Sequence, residues 1–262
     1  MKSGDFMILA VDIGNTNITI GIYNKDDLLF VLRSATDRKK TPDQYAVEFS
    51  AMLSLHKADG LQFSGAIISS VVPELTNVIK DAIFMITGHN ALLIGPGIKT
   101  GLNIKIDNPA QLGADLVAGA VGALNKYELP CLVLDMGTAT KISVLDSNGT
   151  YRGCTISAGI EISLNALSSG ASQLPAIPLD APNSAIGTNT VDSIQSGTVL
   201  GAAAMTEGLC ARLEEALGEK VKTIVATGGI SGAIIRYCNI DIIHDPQLIL
   251  DGLKFIFNKN KT

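Results

Sequence analysis

The chain of 262 residues contains no tryptophan, and aromatic residues make up only 5% of it. Aromatic platforms for single-stranded nucleic acid therefore have little to be built from. Lys and Arg number 20 against 25 Asp and Glu, a net charge of -5, which argues against a protein that holds nucleic acid by charge. The four cysteines, Cys131, Cys154, Cys210 and Cys238, are widely spaced, with no C-x-x-C pair and no histidine cluster beside them. That spacing argues against a zinc site or a disulfide framework, and reduced, mostly buried thiols are expected. Long apolar runs are also missing: hydrophobic residues reach 47%, but Gly, Asp, Asn or Lys soon interrupts each run, short of the ~20 residues that span a bilayer. The opening MKSGDF has neither an apolar core nor a small-residue cleavage site, so the cytoplasm is the expected compartment. Met7 is an alternative start, with Met1 to Phe6 a frayed extension.

What is present is a glycine-rich, weakly charged chain, with 26 Gly and 17% charged residues, the profile of a compact α/β protein. Its length allows one large domain or two of roughly 100 to 150 residues. The organising stretch is ILAVDIGNTNITIGIY, Ile8 to Tyr23: an apolar run ending in Asp12, a turn at Gly14-Asn15-Thr16, and a second apolar run. This reads as strand, tight turn, strand. Gly14 can take a positive φ and let a ligand approach the backbone, and consecutive turn amides can form an anion nest. Asp12 would repel a bare phosphate, so its presence makes sense if a cation stands between them. The alternative is a hairpin whose Asp and Asn side chains satisfy only their own turn.

A third strand follows, ending near Thr36, then a helix from Pro42 to His56 with Thr41 or Asp43 as its cap. Ser64 to Val72 is a buried strand stopped by Pro73, Glu74 to Met85 a helix, and Ala91 to Gly95 a short strand. A loop at Asp107-Asn108-Pro109 leads into a small-residue helix from about Gln111 to Asn125. Asp115 lies in its first turn, where the helix dipole alone would justify a carboxylate.

The pattern then repeats. Leu129 to Gly153 gives strand, Asp135, a Gly137-Thr138 turn, a second strand, a Ser-Asn-Gly turn and a further short strand. Asp135 matches Asp12, Gly137 matches Gly14, and Thr138 and Thr140 stand for Asn15 and Thr16. Such a duplication is a stronger signal than either copy alone and predicts two phosphate turns facing each other across a cleft. Gly159 to Leu167 reads as a helix, and Ser168 to Thr190 as a long irregular loop of the kind that is more often functional than idle. Val191 to Leu217 is helical, with breaks expected at Gly197 to Gly201 and near Gly208. Val221 to Ile235 runs as a strand through Thr227-Gly228-Gly229 into a helix, where the glycines let a flat group lie on the backbone or simply make the strand-to-helix turn. Leu248 to Asn258 is the last helix, followed by a mobile NKNKT tail.

Acid turn, second acid turn and late TGG, in that order, resemble the phosphate, phosphate and adenosine motifs shared by actin, sugar kinases and heat-shock ATPases. The resemblance narrows with D-x-G-N-T at Asp12 to Thr16, S-S-V-V-P at Ser69 to Pro73, N-P-x-Q-x-G-A-D at Asn108 to Asp115 and D-x-G-T-A-T at Asp135 to Thr140. With S-x-x-A-L at Ser163 to Leu167, G-x-N-T at Gly187 to Thr190 and S-G-x-x-x-G at Ser196 to Gly201, the ordered set looks like a type III pantothenate kinase. It implies duplicated actin-like (ribonuclease H-like) mixed-sheet α/β domains, here residues 7–118 and 119–258, with an interdomain cleft. The implied activity is ATP-dependent phosphorylation of pantothenate, the step that commits it to coenzyme A, by a homodimer using a divalent metal, Mg2+, and a monovalent cation, K+ or NH4+.

By resemblance, Asp12, Ile13, Gly14, Asn15, Thr16, Asn17, Ile18 and Thr19 cradle the ATP phosphates with Thr138, and Gly228 and Gly229 serve the adenosine. Asp12 holds Mg2+ through water, Asp135 helps bind the monovalent cation, and Asp115 is the general base. The acceptor is met by Ile106, Gly113, Ala114, Asp115, Leu116 and Gly159, and Thr190 reaches it from the partner subunit. The departures gather at that acceptor site. The family usually has Arg where Leu116 stands, gripping the pantothenate carboxylate, and Tyr where Ile106 stands. The usual G-G-x-I-x-P-G is Gly153-Cys154-Thr155-Ile156-Ser157-Ala158-Gly159, and G-K-N-T is Gly187-Thr188-Asn189-Thr190. Loss of one charge-assisted contact costs ~1.5 to 3 kcal/mol, tenfold to a hundredfold in affinity. Two alternatives therefore stand beside the leading reading: phosphorylation of another small alcohol, and a non-catalytic nucleotide-binding regulator.

Overall fold

A computed structural model of the chain describes residues 7–58 and 60–261, so the extension at Met1 to Phe6 lies outside the described residues. The first hairpin forms as its alternation dictates, with β1 (Met7–Ile13) against β2 (Asn17–Asn24), and β3 (Asp27–Ala35) completes a meander. Thr41 caps α1 (Pro42–Leu55): its hydroxyl accepts from the Gln44 amide while the Gln44 side chain accepts from the Thr41 amide. Then come β4 (Phe63–Ser70), α2 (Pro73–Thr87, with Pro in its first turn), β5 (Leu92–Leu93) and a two-residue β6 (Asn103–Ile104) that the sequence pattern does not signal. Pro109–Gln111 makes a 3-10 turn before α3 (Ala114–Lys126).

The second half runs β7 (Cys131–Met136), β8 (Ala139–Leu145), β9 (Thr150–Ala158), α4 (Ile160–Gly170), α5 (Thr190–Leu217), β10 (Thr223–Thr227), α6 (Ser231–Ile234), β11 (Ile243–His244) and α7 (Leu248–Asn260). One sheet has the order β3-β2-β1-β4-β5 and the other β11-β10-β7-β8-β9-β6. Apart from β6 at the edge, the second order is the first repeated. In each sheet the acid-bearing strand is antiparallel to the next strand and parallel to the one that follows a helix, as a duplication requires.

The chain forms two compact units. The first runs through Gly101 and adds Asn108–Asn125 and the C-terminal segment from Leu248; the second comprises Leu102–Asp107 and Lys126–Gln247. They are discontinuous in sequence, and the 118/119 boundary read from the sequence passes through α3. In the first unit, Met7, Leu9, Val11 and Ile13 join a core with Tyr45, Phe49 and the apolar faces of α1 and α2. The opposite face of β1 and β4 is covered by α7, and Gly65, lacking a Cβ, leaves the space that Phe257 fills. Helices α3 and α7 touch where Gly252 meets the Ala118 carbonyl and Gly122 meets that of Leu248. In the second unit, Leu132, Leu134 and Met136 pack with Ile160, Val199, Ala203 and Ile234.

Two expectations are corrected. Helix α5 is continuous for 28 residues, without breaks at Gly197 to Gly201 or Gly208. Each interior glycine costs only about 1 kcal/mol relative to alanine. One long helix with Ile194, Val199, Ala203 and Cys210 buried absorbs that cost. The C-terminal tail, expected to be mobile, is helical to Asn260, whose side chain accepts from the Lys99 amide and donates to the Lys99 carbonyl.

Candidate active site

Asp12 is the penultimate residue of β1, and strand alternation turns it away from the Met7, Leu9, Val11 and Ile13 core. Its register partners are Thr19 on β2 and Ser69 on β4. The turn after it closes through the Gly14 amide, which donates to the Asn17 carbonyl at 2.9 Å, and leaves Asn15, Thr16 and Asn17 exposed. Gly14 does not use a positive φ, contrary to expectation; the constraint is space, since a Cβ there would lie 3.0 Å from the Asn17 carbonyl oxygen. Thr36 pins the turn, its amide donating to the Thr16 carbonyl and its hydroxyl to that of Gly14. The motif serine Ser69 is fully buried, and its hydroxyl has no hydrogen-bond partner among the described residues. Its neighbour Ser70 accepts from the Val72 amide and the Thr76 hydroxyl, fixing the start of α2.

A cation at this turn escapes the motif reading. Arg38 donates to the Asn15 side chain at 2.9 Å and pairs with Glu74 at 2.8 Å. The basic run Arg38-Lys39-Lys40 just after β3 is the only sequence signal for it. The segment is braced by the Tyr45 hydroxyl, which donates to the Asp37 carbonyl, and by a 2.6 Å pair between Lys40 and Glu48. Burial pushes the Glu48 carboxyl up, but Lys40 and the Ser34 hydroxyl outweigh it and hold it below its ordinary value.

In the same unit Asp115 is 9% exposed in the first turn of α3, and one of its oxygens accepts from the Leu116 amide at 2.8 Å. Gly113 makes room for it, since a Cβ at 113 would stand 2.7 Å from that oxygen. Ala114 and Leu116 flank it half-buried. Ile106, half-buried just after β6, belongs to the second unit, so the acceptor residues read from the sequence are divided between the units.

Asp135 is the penultimate residue of β7, as Asp12 is of β1. Its partners are Lys141 on β8 and Thr227 on β10. Lys141 Nζ lies 2.7 Å from its carboxylate, and both side chains are largely covered. The turn here holds only Gly137 and Thr138, with the Gly137 amide donating to Ala139. Thr140, expected in the turn, is a buried residue of β8.

Gly159, at the N-cap of α4, donates to the Thr138 carbonyl at 3.1 Å, and a Cβ there would collide with the Gly137 and Thr138 carbonyls. Gly228, at φ +93, likewise lies against the Met136 backbone, while Gly229 has open space at its Cβ direction. The second unit thus brings Asp135, Thr138, Gly159 and Gly228 together around one turn. Ser231 donates to the Gly228 carbonyl, and His244 makes a 3.1 Å hydrogen bond with Ser231. Thr190 starts α5, exposed beside a groove of about 860 Å3 formed by α4, α5 and residues 187–190. Among the described residues no three His, Cys, Asp or Glu side chains cluster as a metal cage, and no helix is long and apolar enough to cross a membrane.

Comparisons with known proteins give the family and the fold. The model of the type III pantothenate kinase family matches residues 8–212. The type III pantothenate kinase of Exiguobacterium sibiricum is 41% identical over 97% of this chain and all of its own length. That of Halalkalibacterium halodurans is 42% identical with the same coverage. Among solved structures, the activator of 2-hydroxyisocaproyl-CoA dehydratase from Clostridium difficile with bound ADPNP superposes with a TM-score of 0.59 at 14% identity, covering 97% of this chain and 95% of its own. A ROK family glucokinase from Streptomyces griseus gives 0.50 at 13% identity, covering 97% and 98%. These two likenesses speak for the fold alone, that of actin-like ATPases and sugar kinases. Family model and full-length relatives together lead to one conclusion: the chain belongs to the type III pantothenate kinase family.

Proposed function

We propose that this kinase transfers the γ-phosphoryl group of ATP to the 4'-hydroxyl of pantothenate, the first step of coenzyme A biosynthesis, with Asp115 as general base. The observation that carries the assignment of the base is its placement: a buried carboxylate in the first turn of α3, anchored by the Leu116 amide and given room by Gly113. One oxygen is thereby oriented by the backbone, and the group is fixed rather than free to rotate. A positioned carboxylate of this kind accepts the proton as the hydroxyl attacks. The exposed turn at Asn15, Thr16 and Asn17 is assigned to the ATP phosphates, with Arg38, shared between Asn15 and Glu74, beside it. Thr138 serves the phosphates from the second unit, and Gly228 and Gly229 the adenosine.

Asp12 suits Mg2+: a single half-buried carboxylate leaves coordination positions for water and nucleotide oxygens, which is how this ion is usually held. Bound there, Mg2+ would neutralise charge on the β- and γ-phosphate oxygens. The monovalent cation fits less well. The Asp135 carboxylate that would receive it is already paired with Lys141 at 2.7 Å. A homodimer in which Thr190 reaches the partner's acceptor is supported by the exposed apolar side chains of Ile186 and Val191 on either side of it. The cytoplasm is the compartment assigned, and the four free cysteines accord with it.

Leu116 favours one second reading, an acceptor that lacks a carboxylate, because an aliphatic side chain there offers no anion contact. Turnover of a pantothenamide in strong preference to pantothenate would select it. The base is tested by Asp115→Asn, which should lower kcat by about 10^2 to 10^4 while ATP affinity, measured by calorimetry, is unchanged. Undiminished turnover would remove Asp115 from the role.

A further inference from the structure

We propose that the Lys141 ammonium is a cation built into the second phosphate turn, so that ATP binding and phosphoryl transfer in this chain require no added K+ or NH4+. The inference rests on the kinase reading above and concerns the second unit alone. Asp135 and Lys141 are direct register partners across β7 and β8, so their side chains leave the sheet on the same face. Nζ stands 2.7 Å from the carboxylate, the distance of a charge-assisted hydrogen bond, and the two side chains are only 17% and 15% exposed. A lysine head group is itself an ammonium, with one positive charge and up to three donors. It supplies at Asp135 the charge and contacts that a free NH4+ would bring. A second cation on the same carboxylate would lie within a few ångströms of Nζ and be repelled by it.

The position is also one where a fixed positive charge has a use. Gly159 at the N-cap of α4 lies against the Gly137 and Thr138 carbonyls, and Gly228 of the TGG segment against the Met136 backbone. The pair therefore sits beside the turn on which the second unit's nucleotide motifs converge. Left unneutralised, Asp135 would oppose a polyphosphate there. The first unit gives the contrast within the same chain: the register partner of Asp12 is Thr19, which carries no charge.

The test uses the purified full chain with ATP and Mg2+ in chloride salts of K+, NH4+, Na+ or choline at one ionic strength, reading ATP affinity by calorimetry and turnover with pantothenate. The unsubstituted protein should vary by no more than about twofold across the series, the residual spread being general salt screening. Lys141→Met keeps the apolar stem as far as Cε and removes the charged head group. In choline it should lose about tenfold to a hundredfold in ATP affinity and regain it saturably with K+ or NH4+. A saturable activation of the unsubstituted protein by K+ or NH4+ of about tenfold or more overturns the proposal. So does a folded Lys141→Met variant that binds ATP in choline as well as the parent, which would leave the pair a structural contact. If that variant fails to fold, the salt series on the unsubstituted protein still decides. If pantothenate is not phosphorylated in any salt, the kinase reading fails while the affinity measurements continue to test the cation.

Discussion

Asp12 and Asp135 occupy the same penultimate place on β1 and β7, yet Asp12 faces Thr19 across its hairpin and Asp135 faces Lys141. The difference comes from turn length. Asp12 and its partner are seven positions apart (19 minus 12), Asp135 and its partner six (141 minus 135). With a seven-residue spacing, Ile142 would stand opposite Asp135; the shorter turn brings up Lys141 instead. The first turn is longer and exposes three polar residues, whereas the second is clamped by Gly159 and Gly228. One duplicated scaffold thus yields an acid with an uncharged register partner and an acid paired with a lysine of its own chain.

The sharpest way to break this contrast is to neutralise each acid in turn. Asp12→Asn should cost about 10^2 to 10^3 in kcat and raise the Mg2+ concentration needed. Asp135→Asn should cost less than about tenfold, because the amide oxygen can still accept from Lys141. Equal losses, measured in parallel Mg2+ titrations, would erase the distinction between the turns.

A smaller effect comes from packing. Gly159→Ala drives a methyl group into the Gly137 and Thr138 carbonyls and should destabilise the protein by about 1 to 3 kcal/mol, read by urea unfolding. Gly14→Ala meets only the Asn17 carbonyl at 3.0 Å and should cost measurably less. The reverse order would show that the first turn is the more tightly held.

The weakest effect concerns the brace behind Arg38. The Glu48 carboxyl is held below its ordinary 4.5, so its contribution to stability is present above that value and is lost as pH falls through the lowered one. Glu48→Gln should therefore destabilise by under ~1 kcal/mol at pH 7 and have no effect at pH 2. A loss that persists in acid would trace to packing and not to the Lys40 pair.

Much of this was legible in the residues because the signals were local. Alternation gave β1 and β2, Thr41 and Pro42 gave the start of α1, and the recurrence of D-x-G gave the duplication that the two sheet orders share. What was not legible depends on tertiary context. The glycines of α5 suggested breaks, but a buried face along 28 residues outweighs their propensity. Lys141 could be placed only by counting the register across a turn of unknown length, and Thr140 was put in that turn for the same reason. Arg38 lies outside every motif and reaches Asn15 through the path of residues 36–40, which only the folded chain shows. The split of Ile106 from Gly113 to Leu116 likewise follows from a chain that crosses between units three times in about 25 residues, leaving the first after Gly101, returning at Asn108 and leaving again after Asn125.

31P NMR of ATP, Mg2+ and pantothenate with the purified chain reads phosphoryl transfer to pantothenate at its product. The γ-phosphate signal should be replaced by that of a phosphomonoester on the 4'-oxygen of pantothenate, in choline chloride as in potassium chloride. ATP binding without any such product at saturating pantothenate would contradict it.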